Sequence, residues 1–326
     1  MELKENCLKF TIFIPVKNGR NYISPCVESI LAQTYKDFDL VILGGHSTDG
    51  TCEWLKNLEA RDTRIKIIFS DKELGIEGNW GRILSTQKNE FMTIVGYDDL
   101  LEPDFLEQIN SLIQSEPDAS LYLTHFNLID STGKPIRLCM PIPKYETASE
   151  FLAARMAGIR DSFGTGYVMR SDLYDKVGGI PPFSNLLYAD DALWLGLMGN
   201  SFKATSPQVC FSYRLHSGSV SGKRNPEALF NGLRQYLDLL RNMAQGNKEL
   251  SMVIKQYLPQ HVVRQSQYFY YHYSFLKMTP WGKRDAQKKL SEIALLLKEF
   301  APEAVLNKSY SRRLCKLIAW IAHKCD

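Results

Sequence analysis

The chain has 326 residues, of which 44% are hydrophobic and 23% charged, with a formal net charge of +3. That composition excludes disordered and fibrous classes and gives enough apolar material for a sizeable core and roughly two domains. No uncharged apolar run reaches the ~18 residues of a membrane span, residues 1–6 do not read as a secretory leader, and seven scattered cysteines without a Cys-x-x-Cys pair exclude a disulfide framework or zinc site and fit a reducing, cytoplasmic compartment.

Residues 10–16 (FTIFIPV) form a nearly continuous β-branched and aromatic run, the pattern of a strand buried on both faces. Ser24 and Pro25 offer an N-cap and a first-turn proline to a helix whose apolar face is Cys26, Val27, Ile30 and Leu31. Then come a strand at 38–43, a helix at 51–58, a strand at 65–69, a helix near 79–86 and a strand at 91–96. This βαβαβαβ order predicts an α/β fold with a mainly parallel, Rossmann-like sheet flanked by helices. Ligands of such sheets bind beyond the carboxyl ends of the strands. Lys17, Asn18, the turn at 44–49 and Tyr97-Asp98-Asp99 occupy those places. Residues 119–137 read as strand, turn (130–133) and strand. A strand at 164–170, a helix at 190–198 and a strand at 202–215 follow. After Asn225-Pro226 the texture is helical, with breaks expected at Pro259, Pro280 and Pro302. Residues 222–326 hold 18 Lys and Arg against 8 Asp and Glu, whereas the rest holds 21 against 28. An acidic body with a basic C-terminal third points to an anionic partner.

Asp98-Asp99 ends a strand, where paired carboxylates can hold a hard divalent cation facing a diphosphate; a helix cap before Pro103 explains the pair equally well. Asp190-Asp191 opens a helix and has the same two readings. His216 lies just beyond a strand, where a lone histidine is more often a surface or hydrogen-bonded structural residue than a functional one. The segment 44–51 (GGHSTDGT) is a glycine-rich strand-to-helix turn suited to close approach of a nucleotide, yet it is neither a P-loop nor a dinucleotide fingerprint. Residues 75–81 (GIEGNWG) also lack the dinucleotide spacing.

In order and spacing, the segments 13–19 (FIPVKNG), 29–35 (SILAQTY), 47–51 (STDGT), 95–104 (VGYDDLLEPD), 177–180 (VGGI), 190–195 (DDALWL) and 213–221 (YRLHSGSVS) resemble family 2 glycosyltransferases of the GT-A fold, over about residues 9–222. The resemblance implies a transferase domain over 1–222, with a nucleotide-sugar half at 1–104 and an acceptor half at 105–222, and an α-helical C-terminal extension over 223–326. It implies a nucleotide diphosphate sugar, usually of uridine, near Pro15, Lys17, Asn18, Gly44, His46, Asp49, Gly75, Asn79, Tyr97 and Asp98. Asp98 matches the metal-ligating aspartate and His216 a histidine near the diphosphate, with Mn2+ or Mg2+ as cofactor. Asp190 matches the general base of an inverting displacement, with Asp191 beside it. Gly164, Thr165, Tyr188 and Arg214 lie on the implied acceptor side. The sequence departs from the family at Gly44-Gly45, where relatives carry aspartates, at Gly96, where they carry the first carboxylate of the metal motif, and at Ala189. These departures keep open a second reading, a weak or inactive relative acting as a glycan-binding partner subunit.

Residues 311–324 (SRRLCKLIAWIAHK) place Leu314, Leu317, Ile318 and Ile321 at helical spacing beside Arg312, Arg313, Lys316 and Lys324, which suits either an anionic membrane surface or a terminal helix docked on its neighbours. The aromatic run 268–275 (YFYYHYSF) reads as inter-helix core or as a contact between copies in a homo-oligomer. The expected partners are therefore a nucleotide sugar, a glycan or lipid-linked saccharide acceptor, and the inner membrane face. Nucleic acid is not expected, since no recognised module accompanies the basic tail.

Overall fold

The computed structural model describes residues 8–218 and 226–276. The expected breaks at Pro280 and Pro302 and the 311–324 segment lie outside them. The chain divides into two compact units. The first takes residues 1–148, 162–182 and 189–222, and the second takes 149–161, 183–188 and 223–326.

In the first unit, β1 (Phe10–Val16), β2 (Phe38–Gly44), β3 (Ile65–Phe69) and β4 (Phe91–Ile94) run parallel in the order β3-β2-β1-β4. All seven residues of β1 are buried, as its unbroken apolar run requires. Pro15 is tolerated in this central strand because β4 pairs with β1 only as far as Phe13↔Ile94, so no ladder bond is lost on that side. Beyond β4 the sheet becomes mixed. The short β9 (Val168–Arg170) lies antiparallel between β4 and β6 (Leu121–Ile129), and β6 pairs parallel with the long β10 (Phe202–Arg214). The edges are closed by β5 (Leu100–Leu101), β7 (Pro135–Leu138) and β8 (Tyr145–Thr147). Pro207 falls in the register shift of β10 between Ser206 and Val209, where a missing N–H is harmless.

The helices depart from the sequence expectations in instructive ways. α1 (Ile23–Leu31) begins at Tyr22, not Ser24, and the Ser24 hydroxyl bonds Glu28 within the helix. α2 (Thr51–Lys56) stops short of Leu58, and α3 (Ile76–Gly81) begins earlier than expected and gives way to turns. α4 (Phe105–Ser115), α5 (Ala148–Ala157) and α6 (Ser171–Lys176) were not anticipated, whereas α7 (Ala189–Met198) was. No helix among the described residues is long and apolar enough to cross a membrane. The four described cysteines, 26, 52, 139 and 210, are free.

The second unit contains α8 (Pro226–Ala244) and α9 (Lys248–Leu276). Contrary to expectation, α9 runs through Pro259. A proline inside a helix costs about 3 kcal/mol, but Leu250, Ile254, Leu258 and Val262 continue one buried stripe across it, and packing outweighs the lost bond. The segment 183–188 holds Asn185, Leu186 and Tyr188 in the left-handed region, with φ of 52°, 54° and 64°. For bulky residues this is strained. Partners within the unit hold it there: the Ser184 amide donates to Gln235, the Tyr188 ring stacks on Tyr236 at 5.4 Å, and its hydroxyl donates to Gln265.

Candidate active site

The carboxyl ends of β1 and β2 are stitched together. The Asn18 amide donates to Ser47 Oγ (2.9 Å), the Thr48 amide donates to Asn18 Oδ1 (2.8 Å), and the Gly19 amide donates to Thr51 Oγ1 (3.0 Å). Asp49 accepts from the Arg20 amide and from Thr51. Burial pushes the Asp49 pKa up, but the hydrogen bonds from Thr51 and the Arg20 amide prevail and hold it below the usual carboxylate value. Lys17 reaches Glu73 at 3.0 Å, and His46 Nε2 lies 2.9 Å from the Ser70 carbonyl. The buried Asn79 donates to the Leu43 carbonyl and accepts from Arg82, whose guanidinium also donates to the carbonyls of Gly44 and Ile68. Gly75 precedes α3, its backbone extended. These residues thus shape one rim beyond β1, β2 and β3, and Asn18, Asp49 and Asn79 act as its struts.

The acidic turn after β4 lies beside that rim. Asp98 Oδ2 is 2.7 Å from His216 Nε2, so the ends of β4 and β10 meet through these side chains. Asp99 is buried and accepts from Thr165 Oγ1 (2.8 Å) and from the Arg214 amide (3.0 Å). Burial, then the neighbouring Asp98 charge, push its carboxyl well above the usual range. Arg214 is also buried. Its Nε donates to the Asp98 carbonyl (2.6 Å) and its Nη1 to the Asp130 carbonyl (3.1 Å). Thr165 and Arg214 therefore brace the acidic turn from beneath. Tyr22 packs its ring 4.7 Å from His216 and under the Arg214 guanidinium at 5.1 Å. The Tyr97 hydroxyl is pushed up to about 12, by burial first and then by Asp98. At Gly96 a β-carbon would lie 2.6 Å from Asp99 Oδ2 and 2.8 Å from Asp98 Oδ1, so the turn leaves no room for another carboxylate there.

Asp98 and His216 supply one carboxylate oxygen and one imidazole nitrogen. Among the described residues no group of three or more His, Cys, Asp or Glu could hold a metal ion. A six-coordinate Mn2+ or Mg2+ fits this pair only if oxygens of a bound diphosphate complete the shell.

On the other side, α7 opens with Asp190, half-buried, and Asp191, which is 3% exposed. A β-carbon at Gly164 would sit 3.4 Å from the Trp80 indole and 3.7 Å from the Asp190 β-carbon. Gly164 is thus the gap into which α3 and α7 both project. Tyr167 is buried and stacks on the buried Trp194 at 4.2 Å, so that pair belongs to the core, whereas Phe163 and Tyr213, stacked at 3.6 Å, are each half-buried. Tyr188 belongs to the second unit. Sequence reading missed Tyr22, Trp80 and Arg82. Trp80 carried a signal, an aromatic inside a glycine-rich loop at a strand end, while Tyr22 looked like an ordinary helix-start residue.

A nucleotide-type rim, an acidic turn paired with histidine and a carboxylate at a helix start, on this sheet, define a glycosyltransferase of the GT-A fold. Residues 11–177 match the family described as glycosyl transferase family 2, and the chain belongs to that family. It is 24% identical over 219 residues to TuaG, a Bacillus subtilis glycosyltransferase assigned to teichuronic acid biosynthesis, covering 66% of this chain and 82% of that one. The chain spans only 16% of another relative, glycosyltransferase GlyA of Streptococcus pneumoniae, to which it is 30% identical over 35% of its own length. Its fold is that of S. aureus TarS (residues 1–349, solved with UDP-GlcNAc), with a TM-score of 0.73 at 14% identity over 98% of this chain and 88% of that one. A Pyrobaculum calidifontis mannosyltransferase solved with GDP-Man and Mn2+ superposes at a TM-score of 0.53 and 15% identity, over 98% and 86% of the two chains.

Proposed function

We propose that the protein is an inverting transferase that moves a sugar from a nucleotide diphosphate sugar, of uridine, to a hydroxyl of a glycan or lipid-linked saccharide in surface-polysaccharide assembly. The observation that carries this reading lies within one compact unit: the Asp98–His216 pair and Asp190 flank the consecutive residues Gly164 and Thr165. The similarity to TuaG and to a TarS fold solved with UDP-GlcNAc supports the substrate classes.

In this reading Asp190 accepts the proton of the acceptor hydroxyl as that oxygen attacks the anomeric carbon. The bond to the nucleotide diphosphate breaks on the opposite face, so configuration inverts. Thr165 and Arg214 keep the acidic turn in place, and Tyr22 keeps His216 turned toward Asp98. A bound Mn2+ or Mg2+, held through Asp98 and His216, would offset the charge gained by the departing diphosphate. Residues 1–222 serve as the transferase part, and the basic residues 223–326 as its contact with the inner membrane face.

A thermal-shift panel of UDP-, GDP- and dTDP-sugars with Mn2+ identifies the donor, since a ligand at 100 times its Kd stabilises by about 2.7 kcal/mol. Hydrolysis of that donor by the purified protein then tests the base. Asp190→Asn should lower turnover by roughly 10²–10⁴-fold and leave UDP affinity intact, and EDTA should abolish activity until Mn2+ is restored. Wild-type turnover by Asp190→Asn, with the loss moved to Asp191→Asn, would shift the base by one residue. Full turnover in EDTA would remove the metal from the reading.

A further inference from the structure

The Trp80 indole is not accounted for by the roles given to its neighbours. α3 lies between β3 and β4 in the chain and carries Asn79, buried and bonded to the Leu43 carbonyl. This anchored neighbour fixes the helix and turns Trp80 to a different side. Trp80 is only half-buried and makes no hydrogen bond from its indole to a described residue. The edge of its six-membered ring instead faces Gly164, the same backbone point that the Asp190 β-carbon approaches from α7. The adjacent Thr165 holds Asp99, next to the Asp98–His216 pair. The indole is therefore placed along the short backbone path joining the diphosphate pole to the base. In a sugar transfer, the group that must occupy the space between diphosphate and base is the pyranose ring being moved. A pyranose presents a face of C–H groups, which an aromatic ring covers well, while the indole N–H suits a sugar hydroxyl.

We propose that Trp80 is the stacking surface for the donor's pyranose and a determinant of which sugar is accepted. This deepens the reading of Asp98 and Asp190 given above and rests on it. Gly164 is part of the device, because any side chain there would fill the space between the indole edge and the Asp190 β-carbon.

The test uses the full chain with Mn2+ and, as probe, whichever of UDP-GlcNAc, UDP-glucose, UDP-galactose and GDP-mannose the wild type binds tightest, with its own nucleoside diphosphate as reference. By calorimetry, Trp80→Ala should weaken the nucleotide sugar about tenfold, the size of one aromatic contact, and leave the nucleoside diphosphate within about twofold. Trp80→Phe should recover most of the loss. Equal weakening of both ligands would mean that Trp80 only supports the rim, and no weakening of either would mean that the ring does not meet the sugar. Either result overturns the proposal. Asp190→Asn, measured alongside, should bind both ligands like wild type. Normal turnover by that variant would overturn the base assignment while leaving the Trp80 binding result to be read on its own. Failure of the wild type to bind any nucleotide sugar would overturn both.

Discussion

Asp98 is held by two side chains, which share a third as their support. His216 meets its carboxylate, Arg214 takes its carbonyl, and Tyr22 touches both of those partners through its ring. Asp98, His216 and Asp190 stood out in the sequence because they lie in segments that resemble those of family 2 glycosyltransferases; taken singly, each had a structural explanation at least as good. Tyr22 was not, because its role comes from the meeting of α1 with the end of β10, and nothing local in the sequence records that meeting. Its importance can be measured. If the ring fixes His216, Tyr22→Ala should raise the Mn2+ concentration for half-maximal activity several-fold while turnover at saturating Mn2+ stays near wild type. Tyr22→Phe, which keeps the ring face, should behave like wild type. A loss of turnover that saturating Mn2+ does not restore would assign Tyr22 to the chemistry instead. The departure at Gly96 also becomes intelligible at this scale. Asp98 and Asp99 fold back over it, so the turn keeps two carboxylates by excluding a third.

The first three strands, 10–16, 38–44 and 65–69, could be read almost to the residue, since short β-branched and aromatic runs of this kind have few alternatives, even though β3, unlike β1 and β2, is largely unburied. The start of α1 was misplaced because Ser24 satisfies Glu28 rather than the helix amides, leaving Tyr22 at the cap position. α4 went unread although Phe105, Leu106, Ile109, Leu112 and Ile113 mark a buried face at helical spacing. In α9 the proline rule gave way to the buried stripe that spans it, and two residues beyond Pro259 lies His261, itself buried. Arg264 Nη2 approaches His261 Nδ1 at 3.4 Å, which makes Nδ1 the acceptor, and Nε2 has no partner. Burial, then the charges of Arg264 and Arg155, lower its pKa from 6.5 to about 3. The folded state therefore refuses a proton that the unfolded chain accepts below about 6.5. Stability contributed by neutral His261 is intact above that value and declines as the pH falls toward 3, by about 2 kcal/mol at pH 5. Thermal unfolding from pH 7 to 5 should show this decline, and His261→Leu should flatten it. An unchanged slope would mean that His261 is protonated in the fold.

Over the whole chain, charge is the property that the sequence reveals most clearly and the described residues least. Residues 222–326 carry a surplus of ten positive charges and the remainder a surplus of seven negative ones. Surface attraction decays within a Debye length, about 8 Å at physiological salt, so only basic residues close to lipid would contribute, at about 1 kcal/mol each. The protein is expected to sediment with anionic but not zwitterionic liposomes and to be partly released by high salt. A truncation after Ser309 should lose most of this binding and still hydrolyse the donor. Equal sedimentation of truncated and intact chains would place the membrane contact elsewhere or nowhere.

The strained segment 183–188 and the helices that hold it are separated in sequence by all of α7 and all of β10. A ribosome adding about 5–20 residues per second completes Tyr188 several seconds before it completes Gln265, on which the Tyr188 hydroxyl rests. Until residues 235–265 have been made, the segment lacks the Gln235, Tyr236 and Gln265 contacts that help hold Leu186 and Tyr188 in the left-handed region.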